Sequence, residues 1–281
     1  MATGALGEWG ARLGARVGEF SASIHFLTRL PLRRHDAAAP SGTADAPGTA
    51  GAAGTAVASA GANLAHAAWA FPFAGFVVGL IGAIVYLVAD RLVLFSWPAA
   101  ALAVAATILV TGALHEDGLA DTADGFGGGD TRERKLAIMR DARIGTYGVC
   151  ALIISLLVRA GAIASLGAPV LVAPALLAAH VGARTVLPWV MFLLPTARSD
   201  GLSFAAGQPS GTGVAIAGAL GFLALLCCLG LAHALVALVM LAIVVAIVCW
   251  LATRQIGGQT GDVLGTVEQV SEIVILLVAL R

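Results

Sequence analysis

Asp117, Asp121 and Asp124 stand at the i, i+4 and i+7 positions of the segment His115-Glu116-Asp117-Gly118-Leu119-Ala120-Asp121-Thr122-Ala123-Asp124-Gly125. A helix advances about 100° per residue, so the three carboxylates fall within about 60° of one another on one face. Like charges held together repel by on the order of 1 to 4 kcal/mol per pair at about 4 Å. The sequence offers no Lys or Arg between residues 92 and 131 to neutralise them. Hard carboxylate oxygens without a cationic side chain suit Mg²⁺, which is commonly shared between protein carboxylates and substrate phosphates. Asp117, Asp121 and Asp124 are therefore the candidate metal ligands, with Glu116 about 100° away around the helix. The structural alternative is a solvated polar helix end.

Other residues suited to phosphate chemistry follow. Gly118, Gly125 and Gly127-Gly128-Gly129 let backbone approach a ligand and end the helix. Arg132-Glu133-Arg134-Lys135 and Arg140-Asp141-Ala142-Arg143 come next. Arginine binds phosphate through two parallel hydrogen bonds, although a basic run beside a membrane also serves as a topology anchor. Arg159, His180 and Arg184 lie in apolar stretches, where a charge is costly and normally faces the interior with a partner. Neither arginine has an acid at helical spacing on its own stretch, so the partner must come from elsewhere or from substrate. Gly257-Gly258-Gln259-Thr260-Gly261-Asp262 is a turn ending in a carboxylate, followed by Glu268 and Glu272.

The elements that must position these groups are membrane spans. Of 281 residues, 59% are hydrophobic and only 11% charged, against about 25% charged in soluble domains, and the mean hydropathy is +0.94. Apolar runs predict an all-α polytopic bundle with six spans, at Trp69–Ala89, Pro98–Leu114, Thr146–Leu166, Val170–Leu194, Val214–Leu231 and His233–Ala252. Val270–Leu280 is a seventh candidate that spans only if it extends back through Leu264. Residues 1–36 read as an amphipathic surface segment, because Glu8, Arg12, Arg16 and Glu19 stand where a signal peptide would need an apolar core. Residues 37–66 read as an Ala/Gly-rich linker and 67–281 as the membrane catalytic domain.

Lys and Arg near span ends place the loops around Arg33, Arg134, Arg198 and Arg254 in the cytoplasm, with only Arg91 on the other side. The three polar stretches, His115–Tyr147, Thr196–Thr212 and Thr253–Glu272, then meet on one face as one site. On this reading no acid lies deep in a span. Balanced charge, 16 basic against 16 acidic residues, gives no ground for a nucleic-acid partner. The lipid bilayer is the expected partner, and the sequence leaves room for a homo-oligomer. Cys150, Cys227, Cys228 and Cys249 read as small buried apolar residues.

Several of these pieces together resemble the cobalamin synthase family, the adenosylcobinamide-GDP ribazoletransferases of vitamin B12 synthesis. They are Phe26-Leu27-Thr28-Arg29-Leu30-Pro31, Phe71-Pro72 with Gly75 and Gly79, His115–Gly125, Met139 through Gly148, and Gly257–Asp262 with Glu272. The resemblance implies an inner-membrane, Mg²⁺-dependent transferase with its site facing the cytoplasm. Adenosylcobinamide-GDP and α-ribazole, or its 5′-phosphate, would give adenosylcobalamin, or its 5′-phosphate, and GMP. It further implies Asp141 or Asp262 as base, Arg140 and Arg143 on phosphate oxygens, and substrate contacts from His115, Arg159, Arg184, Gln259 and Glu272. Glu116 occupies a position where relatives accept an apolar residue. The acid spacing is also similar to that of the CDP-alcohol phosphotransferases, whose full Asp-Gly-x-x-Ala-Arg pattern this chain lacks. From the residues alone the strongest competitor is a divalent-cation transporter.

Overall fold

Runs of Ala, Val, Leu and Gly without charge can satisfy their backbone in a bilayer only as helices or closed barrels, and in this computed structural model the regular elements of the described residues are helices. It describes residues 2–30 and 64–280; Pro31, Arg33, Arg34 and nearly all of the expected 37–66 linker lie outside the described residues. Helix α1 (Ala2–Leu27) is followed by α2 (Phe71–Arg91), α3 (Ser96–Thr111), α4 (Leu114–Gly128), α5 (Arg132–Ile138), α6 (Thr146–Leu166), α7 (Pro169–Leu193), α8 (Leu202–Ala206), α9 (Gly211–Ile256) and α10 (Gly261–Val278).

Among the described residues four helices are long and apolar enough to cross a membrane: Leu64–Arg91, which contains α2, together with α6, α7 and α9. A fifth arises if α3 and α4, bent by 90° at their junction, count as one span. Positive φ at Gly112 and Ala113 makes that bend. It carries the acidic segment off the axis of α3, so the expected run Pro98–Leu114 ends where the carboxylates begin. The chain is thus a multi-pass membrane protein. Ile153, Leu157, Val239, Ile243, Ile247 and Trp250 cover its outside, where lipid tails are the matching solvent.

Helix α9 contains two expected spans. Its 46 residues would stretch roughly 69 Å if straight, more than twice a hydrocarbon core of about 30 Å. Gly230, at φ 77° and ψ 168°, breaks it. Just before α9, Gln208 Nε2 donates to the carbonyl of Phe192 at 2.6 Å. Just after α9, the amide of Gln259 donates to the carbonyl of Pro195 at 2.8 Å. Both ends of α9 therefore meet the end of α7, so its two legs fold back on each other.

Close packing of small residues sets the register, as expected where lipid removes the hydrophobic drive for helix association. Gly75 rests on the His180 carbonyl, and a Cβ at Gly79 would lie 2.8 Å from the Leu176 carbonyl, which aligns α2 antiparallel to α7. On the N-terminal side, Ile24 and Leu27 of α1 join a buried cluster with Phe71, Leu187 and Met191. Trp69 ties α1 down, its indole donating to Glu19 at 2.7 Å. The four cysteines are free thiols, but Cys150 and Cys227 are exposed on the bundle surface rather than buried, because they sit on outward helix faces.

The interior departs most from the sequence reading. Glu116, Glu268 and Glu272 are buried, so acids do lie inside the bundle. The three acids of α10, Asp262, Glu268 and Glu272, interrupt its hydropathy, and for that reason only its far end reads as apolar. In the structure α10 begins on the face where α7 ends and runs into the bundle, with Ile275 packed on Gly182 halfway along α7.

Candidate active site

The start of α6, the end of α7, both ends of α9, the start of α10, the part of α4 from Asp117 onward and α5 gather at one face. Helix α4 crosses α10 at two glycines: a Cβ on Gly118 would come 2.8 Å from the Asp262 carbonyl and 3.2 Å from the Gly265 Cα. This crossing brings Asp117 and Asp121, remote in sequence, beside Asp262. A Gly118→Val chain is expected to lose about 1 to 3 kcal/mol, the usual cost of overpacking. Its thermal midpoint in detergent should fall; an unchanged midpoint would mean the helices do not cross this closely.

The electrostatics of the face are dominated by like charge. Asp121 is pushed up to about 7, first by burial and then by Asp117, Asp262 and Asp124, with Arg198 opposing. Burial also lifts Asp262 above the usual carboxylate range, against the pull of Arg198, whose Nη1 lies 3.6 Å from Asp262 Oδ2. Arg198 itself is fixed by donating to the Leu136 carbonyl at 3.1 Å. Arg198, with Arg140 at longer range, stands against four carboxylates, which leaves the face short of positive charge. A hard cation is the complement.

Asp124 is placed differently from the other two. Its Oδ2 accepts from the amide of Gly145 at 2.6 Å and its Oδ1 from the amide of Gly148 at 2.9 Å. A carboxylate there satisfies free donors at the start of α6 and complements the helix dipole. Asp141 is tied down too, taking two side-chain hydrogen bonds from Arg143 at 3.1 and 2.8 Å. Those bonds hold it down to about 2. Arg140 pairs with Asp200, and both members are more than half exposed.

The remaining expected site residues fall into two places. Gln259 lines the cavity beside the aspartates; Ser203 donates to its Oε1 at 2.6 Å, and its backbone is bonded to Pro195 and Ala197. His115, Arg159, Arg184 and Glu272 lie instead in an interior network. There Arg159 donates to Glu272 at 2.8 Å and to Glu116 at 2.9 Å. Arg184 Nη1 lies 2.6 Å from Glu268 Oε1, and His115 Nδ1 3.4 Å from Glu268 Oε2. Gln269 links the pairs, donating to Glu116 and Glu268 and accepting from Ser155. The partners that Arg159 and Arg184 required thus come from α4 and α10.

Within that network, ligand atoms of His180, Glu268 and Glu272 all lie within 4.8 Å of one another, so this buried triad could hold a metal ion; the aspartate face is not drawn together so tightly. Both glutamates of the triad already carry an arginine, which supplies much of the compensation an ion would bring. Sequence reasoning missed Glu116 and Glu268 as partners of Arg159 and Arg184. The signal was present in two interior cations that needed acids. It missed Arg198 because a basic residue near a span end looks like a topology signal.

Fold and site define a class: a multi-pass α-helical membrane protein with an acidic face and a buried network of ion pairs behind it. The chain belongs to the cobalamin-5-phosphate synthase family, which matches residues 19–280. It is 60% identical over 216 residues to the adenosylcobinamide-GDP ribazoletransferase of Bradyrhizobium diazoefficiens, covering 77% of this chain and 83% of that protein. The protein of the same name from Mesorhizobium japonicum is 56% identical, over 78% of this chain and 84% of its own length. That from Azorhizobium caulinodans is 42% identical over 95% of this chain and 96% of its own. No solved structure matches.

Proposed function

We propose that this protein is an adenosylcobinamide-GDP ribazoletransferase of the cell inner membrane. It joins adenosylcobinamide-GDP to α-ribazole, or its 5′-phosphate, and releases GMP. The observation that carries the reading is the meeting of Asp117 and Asp262 at a cavity mouth, with Asp121 close enough to feel both charges, in a chain that shares 60% identity with a protein of that name. On this reading the chain crosses the bilayer six times, the two legs of α9 counting separately. Helix α10 is a seventh, interior helix, and the acidic face looks into the cytoplasm.

The donor set fits Mg²⁺, since Asp117 and Asp121 present hard oxygens in surplus negative charge. Asp124 completes the face and anchors the start of α6. Bound there, the ion would supply neutralisation of the donor's diphosphate. A ribose hydroxyl of the acceptor attacks the phosphorus attached to cobinamide, the bond from that phosphorus to the GMP oxygen breaks, and the hydroxyl proton passes to a base. Asp262 suits that role better than Asp141, because burial lifts it while Arg143 holds Asp141 down. Arg140 and Arg143 can exchange exposed carboxylate partners for phosphate oxygens at little cost, since such surface pairs contribute only about 0 to 1 kcal/mol. Arg159, Arg184 and Glu272 serve the substrate by fixing α4, α6 and α7 against α10, and His115 stands between that network and the cavity.

Purified protein in lipid vesicles with Mg²⁺ should release GMP from adenosylcobinamide-GDP only when α-ribazole is present. Divalent-cation flux without GMP release would establish the transporter reading instead. A second expectation concerns pH. The Asp121 carboxyl is held above its unfolded value, so the folded chain binds that proton more tightly. The stability it contributes is full below the ordinary carboxylate range and is lost as pH rises through about 7. In metal-free buffer the unfolding midpoint should fall between about pH 5 and about pH 8, and Mg²⁺ should restore it at the higher pH only. A midpoint indifferent to Mg²⁺ at the higher pH would count against this ion site.

A further inference from the structure

Two adjoining cavities open at the acidic face, and they differ in character. One, of about 300 Å³, is walled by Phe71, Leu187, Met191 and Phe204 and reaches Asp117 and Asp262 at its polar end. The other, of about 680 Å³, is a shallower groove lined by Arg132, Arg140, Arg198 and Asp200. They share Thr196, Arg198, Asp200 and Phe204. A reaction between two substrates of unlike size and charge needs two such spaces meeting at the reacting atoms.

The smaller cavity stands at the low end of small-molecule sites, about 300 to 1,000 Å³. That is room for a nucleoside, and far too little for a corrin ring carrying a nucleoside diphosphate. Away from Arg198 at the shared mouth, its apolar walls would leave a diphosphate without partners, at a large desolvation cost. A planar apolar heteroaromatic base suits them, since aromatic side chains offer faces and edges to such a ring. Two residues of this wall, His115 and Arg198, each carry a buried nitrogen without a hydrogen-bond partner. His115 is buried and lines the cavity, its Nδ1 faces Glu268, and its Nε2 has no hydrogen-bond partner. With the Nδ1 hydrogen turned to the Glu268 carboxylate, Nε2 carries a lone pair that can accept from a hydroxyl.

We infer that the deeper, apolar cavity is the acceptor subsite, taking the flat apolar base of the nucleoside between Phe71, Leu187, Met191 and Phe204 and leaving the donor to the arginine groove. The inference rests on the reaction proposed above. The acceptor's ribose then lies toward Asp117 and Asp262, where the attacking hydroxyl meets both base and diphosphate. His115 Nε2 accepts a further ribose hydroxyl, which gives the site a preference for a nucleoside over the free base.

The test uses the full chain in lipid vesicles and two variants that change cavity volume in opposite directions. Ala206→Phe, at a buried cavity-wall position, should weaken direct binding of labelled α-ribazole and raise its KM by about tenfold or more, leaving the KM for adenosylcobinamide-GDP unchanged. Met191→Ala should raise, by about tenfold, the kcat/KM of a ribazole analogue with an extra fused ring relative to that of α-ribazole. A misfolded protein cannot produce that gain. The inference is overturned if the donor's KM moves instead, or if neither variant shifts nucleoside binding, as when a lipid chain fills the space. Absence of GMP release by the unsubstituted protein would count against the reaction, while α-ribazole binding and its loss in Ala206→Phe would still decide the cavity's occupant.

Discussion

Asp121→Asn is expected to lower GMP release by about 10²- to 10³-fold or more, the usual scale for removing one group that offsets charge on a reacting phosphate or oxyanion. The substitution keeps the shape of the side chain and removes only its charge. The folded protein should not suffer, because Asp121 sits among Asp117, Asp124 and Asp262 and is pushed up to about 7 by burial and by them. Taking one charge from a crowded set relieves repulsion, so the metal-free unfolding midpoint should hold or rise while activity collapses. That opposition of signs separates a site residue from a structural one. Activity retained across a Mg²⁺ titration would remove Asp121 from the metal site. Asp262→Asn should show a comparable loss and Asp141→Asn a much smaller one, which tests the choice of base through the same assay.

The second large effect concerns stability. Arg184→Met is expected to cost about 3 to 5 kcal/mol, the usual price of leaving a buried carboxylate without its partner. Glu268, fully buried, would keep Gln269 and His115 but lose the guanidinium 2.6 Å away. The double variant Arg184→Met with Glu268→Met should recover most of the loss, since replacing both members of a buried pair with apolar groups is often neutral. Arg159→Met should be at least as damaging as the single Arg184 change, because two carboxylates, Glu116 and Glu272, depend on it. Thermal unfolding in detergent reads all three. A single variant within about 1 kcal/mol of the unsubstituted chain would show that these charges reach water or find other partners.

The same network bears on the transporter alternative. Buried acids beside broken helices are what an ion pathway would show, and the bundle has both. Here, however, each interior glutamate faces an arginine: Glu116 and Glu272 face Arg159, and Glu268 faces Arg184. Paired charges fix helices in place more readily than they pass an ion along.

Sequence alone determined that the chain is a helical membrane protein, because its apolar runs are about 17 residues or longer and do not alternate with polar residues, as the strands of a closed barrel would. It also determined that Asp117, Asp121 and Asp124 share one helix face, since that follows from residue spacing, and the family could be read from the order of short motifs. Tertiary structure decided which of those acids stay available. Asp124 is drawn to the amides of Gly145 and Gly148, and Asp262 joins the face only because Gly118 and Gly265 let two helices cross closely. It also decided that Arg159 and Arg184 meet glutamates of α4 and α10, and that an apolar cavity lies behind the carboxylates. These facts depend on which residues, far apart in the chain, are brought within a few ångströms, and helical periodicity is silent on contacts between helices.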